Sequence, residues 1–271
     1  MLQNLHTHSS FCDGKNTPRE IILAAIEKGF GSIGFSSHAK SEMASAEELA
    51  DIDAYISCIS ELKKEFEGRL QIYTGCELDY YSKGLMPLER FDYTIGSVHT
   101  VLAPDGSFIH FDLSADMTEK YIKEYFGGDS LAYAKAYYEK LTHLPERFPF
   151  DFVGHFDLLT KFSEKRPDLI DFESKKYKSI AIEALHAVRE HKEFFEVNTG
   201  AIARGHRTTP YPAPFLLDAM RDAKCKLILT SDCHNAKFLD CCFNETKEYL
   251  KSHGVDVIYN LTSEGFKGEK I

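Results

Sequence analysis

The sequence predicts an α/β fold in which parallel strands close into a β/α barrel, with a site at the carboxyl ends of the strands. Three observations carry that prediction. Seven short apolar runs recur along the 271 residues, and helical stretches separate them. Each run leads to a histidine, a carboxylate or an amide side chain. These polar groups follow every strand, whereas an open doubly wound sheet usually gathers its ligands at one crevice, so closure is favoured.

Residues 2–5 form the first run and lead to His6 and His8, which alternation along an extended chain points to one face. Thr17 and Glu20 have capping-box spacing and Pro18 falls at the first helical position. Ile22, Ala25 and Ile26 then share one helical face that Gly29 ends. The run 33–35 leads to His38 and the run 70–73 to Glu77, with a helix expected near 46–66. The run 93–98 leads to His99, 152–154 to His155, 194–197 to Asn198, and 227–230 to Asp232 and His234. Further helices are expected near 115–144, 173–191, 212–223 and 243–253. The stretch 101–150 departs from the rhythm. There Ala103-Pro104-Asp105-Gly106 reads as a turn, 108–111 as part of a short hairpin, and the aromatic residues of 125–138 as packing or as a cover for the site.

Composition narrows the function classes. A formal charge of −10 argues against nucleic-acid binding as the main activity, because phosphate contacts need a clustered positive surface. Bound dications can still attract a phosphate within an acidic surround. The seven cysteines (12, 58, 76, 225, 233, 241 and 242) are odd in number and form no CxxC pair, which reads as reduced thiols in a cytoplasmic protein. Cys233, between Asp232 and His234, is expected to face away from them and pack. No leader-like start and no apolar run of membrane-spanning length is visible, so no membrane partner is expected.

Nine residues at the strand ends are candidate metal ligands: His6, His8, Asp13, His38, Glu77, His99, His155, Asp232 and His234. Any one of these histidines alone reads best as an ordinary core or surface residue. Jointly they would crowd desolvated polar groups together without partners, unless ions hold them. Nine exceeds the four to six ligands of a single ion and suits two or three, with Glu77 as a bridge because a carboxylate has two oxygens. His143, His186, His191 and His253 lie on helical faces and read as structural or solvated, while His110 and His206 lie in loops and stay open.

The run His6-Thr7-His8-Ser9 through Asp13-Gly14, with Ser37-His38, Glu77, Gly96-Ser97-Val98-His99, Gly154-His155-Phe156-Asp157 and Ser231-Asp232-Cys233-His234, resembles the PHP superfamily of metal-dependent phosphoesterases. Gly154-His155-Phe156-Asp157-Leu158-Leu159 and Glu196-Val197-Asn198-Thr199-Gly200 look like its histidinol-phosphatase branch. The resemblance spans almost the whole chain and implies a single domain over 1–271, built as a distorted (β/α)7 barrel holding three divalent ions of zinc, iron or manganese. It implies that His6, His8, Glu77 and Asp232 hold one ion, Glu77, His99 and His155 the second, and Asp13, His38 and His234 the third. Some members carry histidine where this chain has Asp13, and either ligates.

The implied reaction is hydrolysis of a phosphate monoester, L-histidinol phosphate, by attack of a metal-bridging hydroxide, with Glu77 and Asp232 as the catalytic carboxylates around it. Phosphate recognition needs cations at the rim, and Arg204 and Lys161 both follow strands there, with Arg207 weaker in the same loop. Glu42, near His38, is a candidate partner for the substrate ammonium, and no general acid stands out. Two other readings remain: a PHP phosphatase or exonuclease acting on nucleotides or single strands, and a non-catalytic PHP domain. The acidic balance counts against the first, and the full ligand set against the second. The barrel's helices offer several faces to a partner subunit, so oligomeric state is not readable.

Overall fold

The computed structural model describes residues 1–271. In chain order the strands are β1 (Gln3–Asn4), β2 (Ser32–Phe35), β3 (Gln71–Asp79), β4 (Tyr93–Ser97), β5 (Thr100–Leu102), β6 (Phe108–His110), β7 (Phe152–Val153), β8 (Phe194–Asn198), β9 (Lys226–Thr230), β10 (Val257–Thr262) and β11 (Gly265–Lys270). Seven pair in parallel in the order β1-β2-β3-β4-β7-β8-β9. A bridge between Thr7 and Cys233 joins the two ends of this sheet. There the amide of His8 donates to the Cys233 carbonyl at 2.8 Å, and that of Cys233 to the His6 carbonyl at 3.0 Å. The result is a nearly closed seven-stranded barrel, as the strand rhythm predicts.

The helices are α1 (Pro18–Glu27), α2 (Ile52–Glu65), α3 (Ala115–Tyr125), α4 (Ser130–Arg147), α5 (Lys175–Arg189), α6 (Gly200–Ala203), α7 (Pro214–Asp222) and α8 (Phe243–Ser252). The capping box of Thr17 and Glu20 forms as expected. Two helices differ from expectation. α2 starts at 52 rather than 46, because the Asp51 carboxylate caps it by accepting the Ala54 amide at 2.9 Å. The stretch 115–144 is two helices, since Gly127 and Gly128 both adopt positive φ and Asp129 caps α4. The 103–106 turn joins β5 and β6 in the expected hairpin. The aromatic residues of α4 pack: Tyr133, Tyr137 and Tyr138 are buried, and the Tyr137 hydroxyl donates to the carbonyls of His155 and Phe156. All seven cysteines are free, and no helix is long and apolar enough to cross a membrane.

Alternation along the strands separates a greasy exterior from a mixed interior. In β9, Leu227 and Leu229 join the large core beneath the helices, whereas Ile228 faces inward with Leu5, Tyr73, Tyr93, Ile95 and Phe152. Tyr93 lies so close to the backbones of β2 and β3 that a Cβ at Gly34 or Gly75 would come within 2.3 Å of it. Only glycine fits at those two positions.

The β10–β11 hairpin, absent from the expected elements, closes the amino-terminal end of the barrel. Leu261 joins the interior cluster, and its backbone exchanges hydrogen bonds with the Gln3 amide side chain, at 2.7 and 2.9 Å. Phe266 packs on Phe194 with ring centroids 4.6 Å apart and the rings tilted by 34°. Leu261→Ala is expected to cost about 2–4 kcal/mol of unfolding free energy, the usual range for emptying such a site. Urea unfolding measures it, and a loss under about 0.5 kcal/mol would mean the hairpin does not complete the core.

Candidate metal centre

At the opposite end the barrel interior turns from aromatic to ionisable. On β3, Cys76 and Leu78 enter the outer core while Glu77 points inward; on β8, Phe195 and Val197 face out while Glu196 and Asn198 face in. Glu77 lies within β3, which runs past the predicted stretch to Asp79. The Glu77 carboxylate sits among five imidazoles. Its Oε2 is 3.2 Å from His6 Nε2, 3.5 Å from His8 Nε2 and 3.0 Å from His38 Nδ1. Its Oε1 is 3.4 Å from His99 Nε2, 3.0 Å from His155 Nε2 and 2.8 Å from the Ser97 hydroxyl that donates to it.

Asp232 stands across from Glu77. Its Oδ1 is 3.3 Å from His8 Nε2, 3.6 Å from His6 Nε2 and 3.4 Å from His234 Nδ1. Asp13 meets His234 Nε2 at 2.9 Å, His8 Nδ1 at 3.6 Å and His38 Nε2 at 3.7 Å. All nine candidate ligands of the sequence thus lie in one cluster. Three overlapping groups have ligand atoms within 4.8 Å of one another: His8, Asp13, His38 and His234; His6, His8 and Asp232; His38, Glu77 and His99. His8 and His38 therefore each stand between two groups, a sharing that differs from the partition the family resemblance implies.

The donor set fits divalent ions on two counts. Two donors about 2.0–2.2 Å from one tetrahedral ion stand roughly 3.3–3.6 Å apart, and several contacts here fall at that spacing rather than at hydrogen-bond length. His6 Nε2, His8 Nε2, Glu77 Oε2 and Asp13 Oδ1 are also buried without a hydrogen-bond partner. Orphaned polar atoms of this kind are costly unless something completes them.

Electrostatics ties the cluster together. Burial works against ionised Glu77, yet His6, His99 and His38 outweigh it and hold this carboxyl well below the usual range. Burial likewise opposes a charged His6, but Glu196, Glu77 and Asp232 raise it well above an ordinary imidazole. His38 rises to about 9 against its own burial, through Glu77 and Asp13. His8 moves the other way, lowered by burial and by neighbouring His38. Ion binding at these imidazoles requires them neutral, so it would be coupled to proton release.

Two carboxylates to which the sequence reading assigns no role, Glu196 and Asp79, orient these rings. Glu196 Oε1 accepts His6 Nδ1–H at 2.6 Å, which leaves Nε2 free to face the cluster, and Oε2 accepts the His155 amide at 2.6 Å. Asp79 Oδ2 accepts both the backbone amide and Nδ1–H of His99, at 2.9 and 3.2 Å. Outer carboxylates of this kind fix tautomer and ring direction at metal sites. Each shares the inward side of its strand with another polar residue two positions away (Glu196 with Asn198, Asp79 with Glu77), a period-two signal that was available.

The cluster floors a cavity of about 640 Å³ whose wall includes Lys161, Arg204, His110, Asp112, Glu47 and Leu113. That volume suits a small organic ligand. Arg204 reaches Asp232 Oδ2 with Nη2 at 2.7 Å, and Lys161 Nζ donates to the Asp112 carbonyl at 2.8 Å. Arg207 does not face the cavity; it is buried against Asp157. Glu42 lies outside as well, exposed beside Arg147. His110 lines the wall, and His206 packs on Phe162. Cys233 is buried, with its thiol donating to the Asn235 carbonyl at 3.0 Å, in keeping with a packing role.

Comparison with known proteins agrees with this architecture. A model of the PHP domain family matches residues 4–200. The histidinol-phosphatase of Bacillus subtilis is 30% identical over 261 residues, covering 85% of this chain and 92% of that protein. A Schizosaccharomyces pombe protein named "Probable histidinol-phosphatase" is 26% identical over 270 residues, covering 92% of this chain and 86% of that one. The crystal structure of histidinol phosphate phosphatase from Lactococcus lactis, complexed with zinc, L-histidinol and phosphate, superposes with a TM-score of 0.73 at 20% identity, over 98% of both chains.

Proposed function

The chain belongs to the PHP domain family, and on that premise we propose that it is a histidinol-phosphatase, hydrolysing L-histidinol phosphate to L-histidinol and inorganic phosphate. The observation that carries the reading is that similarity to histidinol-phosphatases runs nearly the full length of both chains. The nine clustered ligands supply the means. By the partition that the family resemblance implies, His6, His8, Glu77 and Asp232 would hold one divalent ion, Glu77, His99 and His155 a second, and Asp13, His38 and His234 a third, whereas the observed donor groups let His8 and His38 serve two ions each, with zinc, manganese and iron all compatible. When bound, such ions act as Lewis acids on a phosphoryl group and make water a stronger nucleophile near neutral pH.

The chain's own groups do the rest. Glu77 and Asp232 draw the six nearest histidines inward and keep them at fixed spacing. Arg204 is held by Asp232 and Lys161 by Asp112, so both cations are anchored at the cavity wall. There they would clamp the oxygens of a phosphate monoester. Glu196 holds the proton on His6 Nδ1, and Asp79 the one on His99 Nδ1. The hairpin at the far end leaves the carboxyl-terminal rim as the way in for substrate. Residues 1–271 act as one domain in this reading, and the seven free cysteines support a cytoplasmic location.

Parallel assays with histidinol phosphate, AMP and single-stranded DNA test the substrate. We expect turnover of histidinol phosphate, abolished by chelator and restored by zinc or manganese. Preference for AMP or DNA overturns the substrate, and no turnover with any metal present overturns the enzyme.

A further inference from the structure

The two cations of the cavity wall sit on different loops: Lys161 on the one that follows β7, Arg204 on the one that follows β8. Beneath the cavity these loops are joined by a buried ion pair. Asp157 is 0% exposed and Arg207 6%, with Oδ2 and Nη1 3.8 Å apart, and neither side chain lines the cavity.

Each partner is tied closely to the residues around it. Arg207 Nη1 donates to the Thr160 hydroxyl, and Nη2 to the Pro210 carbonyl at 3.3 Å. The guanidinium carbon lies 4.6 Å from the centre of the Tyr211 ring. Asp157 Oδ2 accepts the Ala213 amide at 2.8 Å, so each residue of the pair also bonds into the other's loop. The links onward are short. Thr160, which Arg207 holds, directly precedes Lys161, and Arg204 lies three residues before Arg207 on a turn closed by amides of 204, 206 and 207.

A buried ion pair is an expensive way to hold two loops together. Taking both charges out of water is costly, and packed apolar side chains of similar volume often stabilise as well. Its value lies in geometry: the guanidinium donates to Thr160 and Pro210 and the carboxylate accepts from Ala213, so the two charges, 3.8 Å apart, hold one separation of the loops through these bonds.

We propose that Asp157 and Arg207 are positioning residues that set the distance between Lys161 and Arg204 and thereby the affinity of the cavity for phosphate. The proposal rests on the reading of Lys161 and Arg204 as phosphate-binding groups. Neither Asp157 nor Arg207 touches the substrate; both act through the loops they join.

The test uses metal-loaded full-length protein and two probes, histidinol phosphate turnover and binding of inorganic phosphate. Arg207→Met is expected to raise KM and the inhibition constant of phosphate together, by about tenfold or more, since small displacements of binding groups are costly. kcat should stay within about threefold and metal content should not change, because the ligand cluster is untouched. Arg207→Lys, which keeps a cation, should restore part of the loss. Breaking one half of a buried pair can unfold a protein, so the double variant Asp157→Leu, Arg207→Met provides the second arm. It should regain thermal stability while phosphate binding remains weak.

Unchanged phosphate affinity in Arg207→Met overturns the proposal. So does recovery of affinity together with stability in the double variant, because the pair would then serve the fold alone. Loss of metal or of kcat at constant phosphate affinity overturns it as well. A wild-type enzyme that hydrolyses a different monoester would overturn the assigned substrate, while the ratio of phosphate affinities would still decide the role of the pair.

Discussion

Glu77→Gln is expected to lower kcat/KM for histidinol phosphate by on the order of a thousandfold or more, and to lower the number of metal ions retained. Glutamine keeps the length and shape of the side chain and can still accept from the Ser97 hydroxyl. It removes the one negative charge that His6, His8, His38, His99 and His155 share. The substitution also exchanges an acceptor oxygen for an amide that can only donate, in a place where ions or protonated rings already supply positive charge. Elemental analysis of protein purified without chelator, paired with kcat, measures both losses. A variant that retains its metal and its turnover would remove Glu77 from the centre of the site.

Glu196→Gln is the second large effect, and it separates a supporting carboxylate from the ligands themselves. All four groups that touch Glu196 are donors. His6 Nδ1–H and the Thr230 hydroxyl reach Oε1, both at 2.6 Å. The His155 amide and Asn198 Nδ2 reach Oε2, at 2.6 and 3.0 Å. A carboxylate satisfies all four, whereas glutamine must point an NH2 at two of them. The expected result is metal affinity weaker by about ten- to a hundredfold, with KM near the wild-type value once metal is saturating. Metal titration followed by activity tells the two apart. Full activity at low metal would mean that His6 is held in place by packing alone.

The barrel was legible because two periodicities coincide in this chain. Apolar runs mark the strands, and within a few residues of the end of a run stands a group that a shared pocket explains, as with His38, His99 and His155. Glu196 stands in the branch motif without a role of its own, because it lies at the middle of its strand among Phe194, Phe195 and Val197, where the apolar pattern dominates. Spacing alone does not separate Arg204 from Arg207, and only the family resemblance ranks Arg204 first. They stand three apart in one loop, and no periodicity indicates which side chain faces the cavity and which turns toward Asp157. The break between α3 and α4 did leave a sign in Gly127-Gly128-Asp129, two residues suited to positive φ followed by a cap. The final hairpin left little: no helix separates β10 from its antiparallel partner, and that partner strand is half charged and largely exposed.

The hoop of strands is fastened at a telling place. β1 and β9 meet through backbone bonds of His6, His8 and Cys233, so the last join of the circle is made by residues flanking, or identical with, those that face the cations. An ion that draws His6, His8 and Asp232 together acts on the rest of the molecule like a buckle on a belt. Tightness of the ring and occupancy of its mouth are then two measures of one event.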